Sequence, residues 1–222
     1  MALRFEKGSL VVGRFRDAPI RIHWTTPIGV IAFTGFRFAP GAWLGFVLVI
    51  LIHELGHAVA VASCRQRTVG IDVHGFGGLC WWTGYPTPTE RAMIAWGGVI
   101  AQAVLLVATL GVLAITGKPH HMFAAELVGA FLGPNVSAIL FNLLPIPPLD
   151  GAEAWKILPI LGSRLRKRRA AKARVRAEKT RSELRSLDEV DELPPMPDEV
   201  KRVLDRVMKD GRAQYEAEKK GK

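Results

Sequence analysis

Apolar residues in the first two thirds of the chain occur in long continuous runs separated by short polar segments. Three runs approach or exceed the roughly 20 residues that a membrane-spanning helix needs, and they cover residues 42–62, 92–115 and 127–144. A shorter run at residues 24–36 precedes them, and we expect it to form a further span that is tilted, extended toward Ile20 or partly re-entrant. The pattern therefore predicts a mostly α-helical, polytopic membrane bundle of about four spans.

Two segments interrupt this helical pattern. Between residues 65 and 90, β-branched and aromatic residues cluster around three glycines, Gly75, Gly77 and Gly78, which predicts a short β-hairpin. After the last run, three prolines exclude regular helix, namely Pro145, Pro147 and Pro148. Non-helical backbone at membrane depth must be buried in protein or line a wet cavity, so we expect a re-entrant proline-rich segment there.

Charge divides the chain into two parts. The formal net charge is +10, and 19 of the 30 lysines and arginines follow Gly162. We therefore predict a membrane-embedded core at residues 1–161 and a hydrophilic tail at 162–222. The tail consists of helix formers interrupted by the prolines of "DELPPMP". Its basic residues are expected to be attracted to anionic lipid at about 1 kcal/mol per charge, whereas no aromatic interleaving favours nucleic-acid binding.

The distribution of basic residues also predicts an orientation, because loops rich in Lys and Arg stay in the cytoplasm. Basic residues cluster before the first run, between the second and third runs, and in the tail, whereas Arg37 and Lys118 stand alone in the other two loops. Four crossings with both termini in the cytoplasm satisfy this distribution. The N-terminal sequence shows no compact apolar core followed by a small-residue cleavage site, so we expect no signal peptide.

The second apolar run contains "HELGH", which places His53, Glu54 and His57 inside a predicted span. Residues four apart share one face of a helix, so both imidazoles can ligate a single metal ion. In HExxH sites zinc lowers the pKa of water, and the glutamate accepts the water's proton. The alternative is that a neighbouring helix satisfies the histidines and that Glu54 pairs with a basic group. No intramembrane Lys or Arg is present for that pairing, which favours the metal.

A catalytic zinc ion usually has three protein ligands and one open position, so a third ligand is required. Asp150 directly follows the proline-rich segment and is the candidate. A competing role for Asp150 is the N-cap of a helix that starts near Ala152. The same carboxylate oxygens cannot serve both roles, and we favour ligation.

"HELGH" within a span, followed by "NLLPIPPLDG" at the end of a later one, resembles the site-2 protease family of intramembrane zinc metalloproteases. The resemblance extends over about residues 19–161 and does not include the tail. It implies one zinc ion held by His53, His57 and Asp150, with Glu54 as the catalytic base. It also implies that Asn142 holds the substrate or stabilises the oxyanion, although a helix-to-helix hydrogen bond is the alternative for that residue. The implied activity is hydrolysis of peptide bonds in or near transmembrane segments of other membrane proteins.

Two other classes of function compete with this interpretation. A catalytically silent membrane regulator would keep the fold, but it would have no need for Glu54. A metal transporter would repeat polar sites along several spans, whereas here they concentrate in two.

One departure from the family lies in the third run, where the family frequently has Gly-Pro followed by asparagine and this chain has Gly97-Gly98 followed by Gln102.

Overall fold

The computed structural model describes residues 4–6, 8–188 and 196–220. The chain divides into two compact units, Met1–Ser163 and Arg164–Lys222. In chain order the elements are β1 (Arg4–Glu6), β2 (Ser9–Phe15), β3 (Ala18–His23), α1 (Thr26–Phe33), α2 (Pro40–Ser63), β4 (Arg67–His74), β5 (Gly77–Thr83), α3 (Pro88–Thr116), α4 (Met122–Asn142), α5 (Gly151–Ala154), α6 (Ile157–Asp188) and α7 (Asp198–Lys220). The fold is mostly helical, as predicted.

Three helices of the described part of the chain are long and apolar enough to cross a membrane, namely α2, α3 and α4. They correspond to the three long apolar runs, which confirms those runs as helices of membrane-spanning length. Helix α3 begins with a capping box, in which Thr87 accepts from the Glu90 amide and the Glu90 carboxylate accepts from the Thr87 amide at 2.7 Å. This box satisfies backbone groups that the first turn of a helix leaves without partners.

Small residues let α2 and α3 pack closely. A Cβ atom on Gly56 would lie 2.3 Å from the carbonyl oxygen of Gly97, and one on Gly97 would lie 2.5 Å from the carbonyl oxygen of Gly56. Contacts this short are possible only between glycines, which is how many membrane helices bring their backbones together. The site described below lies next to this crossing.

The strands form one five-stranded sheet in the order β1-β2-β3-β4-β5. Strands β4 and β5 are the predicted hairpin, antiparallel from the Arg67–Thr83 pair to the His74–Gly77 pair. The three N-terminal strands were not predicted. They join the hairpin through a parallel pairing of β3 with β4, in which Ile20 is opposite Ile71.

The first apolar run differs from the expectation. Instead of a helical span over residues 24–36, the structure has α1, whose eight residues make a helix only about 12 Å long. Helix α1 starts where β4 ends, with the Thr26 hydroxyl donating to the carbonyl oxygen of Val73 at 3.0 Å. It ends beside the beginning of α2, where the Trp43 indole donates to the Thr34 hydroxyl at 3.0 Å.

Strand β3 and helix α1 together follow the length of α2. Strand β4 comes shortly after the C-terminal end of α2, and the hairpin reaches the middle of α2, where Gly78 lies against Glu54. Because β3 runs parallel to β4, it leads away from the C-terminal end of α2, and α1 then reaches the beginning of α2. The chain therefore passes from one end of α2 to the other as a strand followed by a short helix.

The second unit consists of most of α6 together with α7. The helical tail is confirmed, and the side chains of residues 164–186 are exposed in the structure. The prolines predicted to separate its two helices fall mainly at residues 189–195, outside the described residues.

Candidate metal centre

Three polar side chains of α2 are buried in the middle of that helix. His53 is 7% exposed, Glu54 5% and His57 7%. One turn of helix separates the two histidines, so their Nε2 atoms lie 3.0 Å apart. No lysine or arginine of the described residues forms an ion pair with Glu54. The pairing that would explain Glu54 as a structural residue is therefore absent from the described part of the chain.

Asp150 completes a cluster with the two histidines. Its Oδ2 atom lies 2.9 Å from Nε2 of His53 and 3.2 Å from Nε2 of His57. Asp150 stands at the N-cap position of α5, but its side chain makes no capping hydrogen bond. Burial raises the pKa of Asp150, but hydrogen bonding to His53 and His57 outweighs burial and holds that pKa well below its usual range. Asp150 is thus a carboxylate, the form that ligates metals.

The donor atoms of this cluster suit a zinc ion. Two imidazole nitrogens and one carboxylate oxygen are a ligand set typical of catalytic zinc. Their separations of 2.9–3.2 Å are close to the edge of a tetrahedron with ligand distances of about 2.0–2.1 Å, which is roughly 3.3 Å. Among the described residues, the side chains of His53, His57 and Asp150 form a group whose ligand atoms all lie within 4.8 Å of one another, close enough to hold one metal ion.

The Nδ1 atoms of both histidines, which face away from Asp150, have hydrogen-bond partners on α3. Nδ1 of His53 lies 3.0 Å from Oε1 of Gln102, and Nδ1 of His57 lies 2.8 Å from the carbonyl oxygen of Ile94. A neighbouring helix therefore satisfies one nitrogen of each ring, and the other nitrogen of each ring is turned toward Asp150. The sequence reasoning missed both partners, because neither belongs to a motif.

Gly98 of α3 provides the space that the two imidazoles occupy. A Cβ atom at this position would lie 2.5 Å from Cε1 of His53 and 2.6 Å from Nε2 of His57. Any larger residue would therefore displace the rings. Gly98 belongs to the Gly97-Gly98 pair that departs from the family pattern. The structure shows that this position has no room for a side chain.

The loop that carries Asp150 is held on both sides. The Trp155 indole donates to the carbonyl oxygen of Leu143 at 2.7 Å, across the base of the loop. The Trp96 indole of α3 donates to the carbonyl oxygen of Ala154 at 3.0 Å. Gly151 lies so close to the loop's start that a Cβ atom would be 2.3 Å from the carbonyl oxygen of Leu144. These contacts hold the loop so that Asp150 lies beside His53 and His57 of α2.

A cavity of about 730 Å³ opens onto the cluster. Asn142, the last residue of α4, lines it together with the two histidines, Glu54 and Asp150. The structure therefore brings all five predicted site residues to one cavity. Strand β5 forms part of its wall through Cys80, and burial, together with the charge of Glu54, raises the pKa of that thiol to about 12. Cys80 is thus a neutral wall residue at physiological pH.

Comparison with known proteins places this geometry in context. No family model matches the chain. Rip3 of Mycobacterium tuberculosis, which is named as a zinc metalloprotease, is 30% identical over 166 residues, covering 65% of this chain and 42% of that protein. Stage IV sporulation protein FB of Bacillus subtilis is 32% identical over 152 residues, covering 66% of this chain and 50% of that protein. The chain thus spans half or less of the length of these relatives.

A solved structure shares the fold. The site-2 protease from Methanocaldococcus jannaschii superposes with a TM-score of 0.52 at 20% sequence identity, over 70% of this chain and 72% of that chain. The chain thus has the fold of that site-2 protease. Its third span carries Gly98 and Gln102 where the resemblance led us to expect proline and asparagine, and both residues contact His53.

Proposed function

We propose that the protein is an intramembrane zinc metalloendopeptidase that hydrolyses peptide bonds in or near the transmembrane segments of other membrane proteins. The observation that carries this proposal is the convergence of His53, His57 and Asp150 beside Glu54, inside a helix of membrane-spanning length. Burying these groups in an apolar helix is costly, and a divalent cation held between them offsets that cost. Residues 1–161 would form the protease core, and residues 162–222 would form a separate tail.

His53, His57 and Asp150 would hold the metal, one ion per chain. When bound, zinc acts as a Lewis acid that polarises the peptide carbonyl and lowers the pKa of water. The naming of Rip3 as a zinc metalloprotease and the nitrogen and oxygen donors both favour zinc over magnesium or calcium, which prefer oxygen ligands alone.

Glu54 and Asn142 would carry out the steps that belong to the protein itself. Glu54 adjoins His53 in sequence and lines the same cavity, so its carboxylate can accept a proton from the attacking water and pass it to the leaving amine. The Asn142 side-chain amide, at the end of α4, can donate a hydrogen bond to the oxyanion that forms on the scissile carbonyl. The burial of Glu54 keeps bulk water away from this proton transfer.

The direct test is cleavage of a single-span reporter protein by the purified protein in proteoliposomes. We expect cleavage within or beside the reporter's span, stopped by a zinc chelator and restored by added zinc. Cleavage that continues at full rate after complete removal of the metal would contradict the proposal. Reconstituted protein that binds zinc but cleaves no reporter would instead favour the silent regulator or the transporter.

We also propose that both termini lie in the cytoplasm and that the basic tail rests on anionic lipid. The basic loop that follows α2 predicts that the C-terminal end of α2 faces the cytoplasm. The path of β3 and α1 supports the orientation, since it places the N-terminal strands at that same end of α2. The stretch from Arg164 to Arg185 supports the lipid contact, because it contains 11 basic residues, each attracted to an anionic surface by about 1 kcal/mol.

Trypsin digestion of membrane vesicles tests both parts of this second proposal. In inside-out vesicles we expect the tail to be cleaved, and more slowly at low salt than at high salt because salt screens its attraction to lipid. A soluble trypsin substrate in the same tubes controls for the effect of salt on the protease. Cleavage of the tail only in right-side-out vesicles would contradict the orientation, and a salt-independent rate would contradict the lipid contact.

A further inference from the structure

Gln102 is a buried amide that no part of the proposed chemistry uses. It lies on α3, in a helix of high hydropathy, and only 1% of it is exposed. A primary amide buried in apolar surroundings destabilises the fold unless it has a hydrogen-bond partner. Its partner here is the ring of His53, with Oε1 lying 3.0 Å from Nδ1.

The chemistry of this contact fixes the proton on His53. An amide oxygen can only accept, so Nδ1 of His53 must donate to Oε1 of Gln102. In a neutral imidazole the other nitrogen, Nε2, then keeps its lone pair. Nε2 is the atom that lies 2.9 Å from Oδ2 of Asp150 and 3.0 Å from Nε2 of His57. Gln102 therefore selects the form of His53 in which the nitrogen facing the cluster can ligate a metal.

His57 has an equivalent arrangement, but its partner is a backbone carbonyl, that of Ile94. Any residue at position 94 other than one that distorts the helix would keep that contact. The contact to His53 instead depends on one side chain. The two ligands thus differ in how they can be perturbed, and only the Gln102 contact can be removed by a substitution that leaves the backbone unchanged.

The surroundings of Gln102 hold it in place. Asn135 of α4 is completely buried, and its Nδ2 donates to the backbone carbonyl of Gln102 at 3.0 Å. Gly98 lies one turn before Gln102 on the same face of α3 and makes room for the histidine rings. Helix α4 therefore fixes α3 at residue 102, and α3 fixes the His53 ring.

From this arrangement we propose that Gln102 is a positioning residue, which sets the tautomer and orientation of His53 and thereby the metal affinity of the centre. The inference rests on the proposed zinc site and goes beyond it, because it assigns zinc retention to a residue outside the HExxH and LDG motifs. Partners of this kind on zinc-bound histidines typically change metal affinity by about 10–100-fold when removed.

The test compares zinc dissociation constants of Gln102→Met and Gln102→Glu with that of the wild type, measured by competition with a chelator. Methionine has a similar volume and no strong acceptor, so we expect zinc binding to weaken by about 10–100-fold. Glutamate keeps an oxygen acceptor, so we expect affinity within a few-fold of the wild type or tighter. The absorption spectrum of the Co²⁺-substituted protein should change in Gln102→Met and return toward that of the wild type in Gln102→Glu.

Rescue by glutamate separates positioning from simple packing. If Gln102 served only to fill space, a buried carboxylate would disturb the helix interface at least as much as methionine does. Thr109→Val is the matched control, since Thr109 is a buried polar residue of the same helix whose hydroxyl donates to the carbonyl oxygen of Leu105, away from the histidines. We expect that variant to bind zinc like the wild type.

A measurement on the wild type keeps the inference testable even if Gln102→Met does not fold. In ¹⁵N-histidine NMR spectra of the zinc-loaded protein, His53 should carry its proton on Nδ1 and the metal on Nε2, and the reverse pattern would overturn the inference. Equal zinc affinity and an unchanged cobalt spectrum in folded Gln102→Met would also overturn it, while leaving the proposed function intact. A wild type that binds no zinc would overturn both.

Discussion

Replacing Glu54 with glutamine is expected to abolish cleavage of a membrane reporter while leaving zinc bound. Glutamine has nearly the same shape as glutamate, so it fits the space where Gly78 of β5 lies against the side chain. This space is tight, because a Cβ atom on Gly78 would lie 2.5 Å from Oε1 of Glu54. Glutamine cannot accept a proton, however. General-base catalysis contributes about 10²–10⁴-fold, so the rate should fall by at least about 100-fold.

Zinc content measured on the same preparation shows whether the Glu54→Gln variant fails for the proposed reason. A full complement of zinc together with lost cleavage identifies Glu54 as the base and not as a ligand. Glu153→Gln is the matched control, because Glu153 pairs with Lys156 and not with the histidines. Cleavage by Glu54→Gln at a rate close to that of the wild type would show that the base lies elsewhere.

Replacing Gly98 with alanine is expected to remove zinc from a folded protein. The added Cβ atom would lie 2.5 Å from Cε1 of His53 and 2.6 Å from Nε2 of His57, well inside van der Waals contact. Both rings must therefore move away from Asp150. Overpacking of this kind costs roughly 1–3 kcal/mol of stability, which a membrane bundle can tolerate, whereas displaced ligand atoms no longer match the tetrahedral arrangement that zinc requires.

Gly111→Ala is the control for the effect of alanine on the helix itself. Gly111 lies in the same helix, and a Cβ atom there would meet nothing within 4 Å, so this variant should retain zinc and be slightly more stable. Thermal unfolding in detergent should show that Gly98→Ala remains folded. Normal zinc content in Gly98→Ala would contradict the packing of α3 against the two histidines.

Much of the helical framework was predictable because length and hydropathy are local properties. Helices α2, α3 and α4 follow from runs long enough to span a bilayer, and the β4–β5 hairpin follows from its glycines. His53 and His57 follow from helical spacing. Asp150 was identified as a candidate because prolines bring the chain out of helix just before it, and the structure shows the side chain turned toward the histidines and not toward the α5 backbone.

What the sequence did not predict depends on contacts between distant segments. Strand β3 alternates Ile20 and Ile22 with Arg21 and His23, a pattern typical of strands. Its partner β4, however, follows α2 in the sequence, so the pairing joins segments that are far apart along the chain. That pairing explains why the first apolar run needs only a short helix. Gln102 and Gly98 belong to no motif, so only the packing of α3 against α2 shows what they contact.

Zinc content of the purified wild-type protein, measured beside Asp150→Ala, tests the central claim most directly. The proposed centre predicts about one zinc ion per chain in the wild type, as a site with three protein ligands should hold, and little or none in the variant. A well-folded wild type without zinc, or an Asp150→Ala variant that keeps a full complement, would contradict the metal centre and with it the proposed protease.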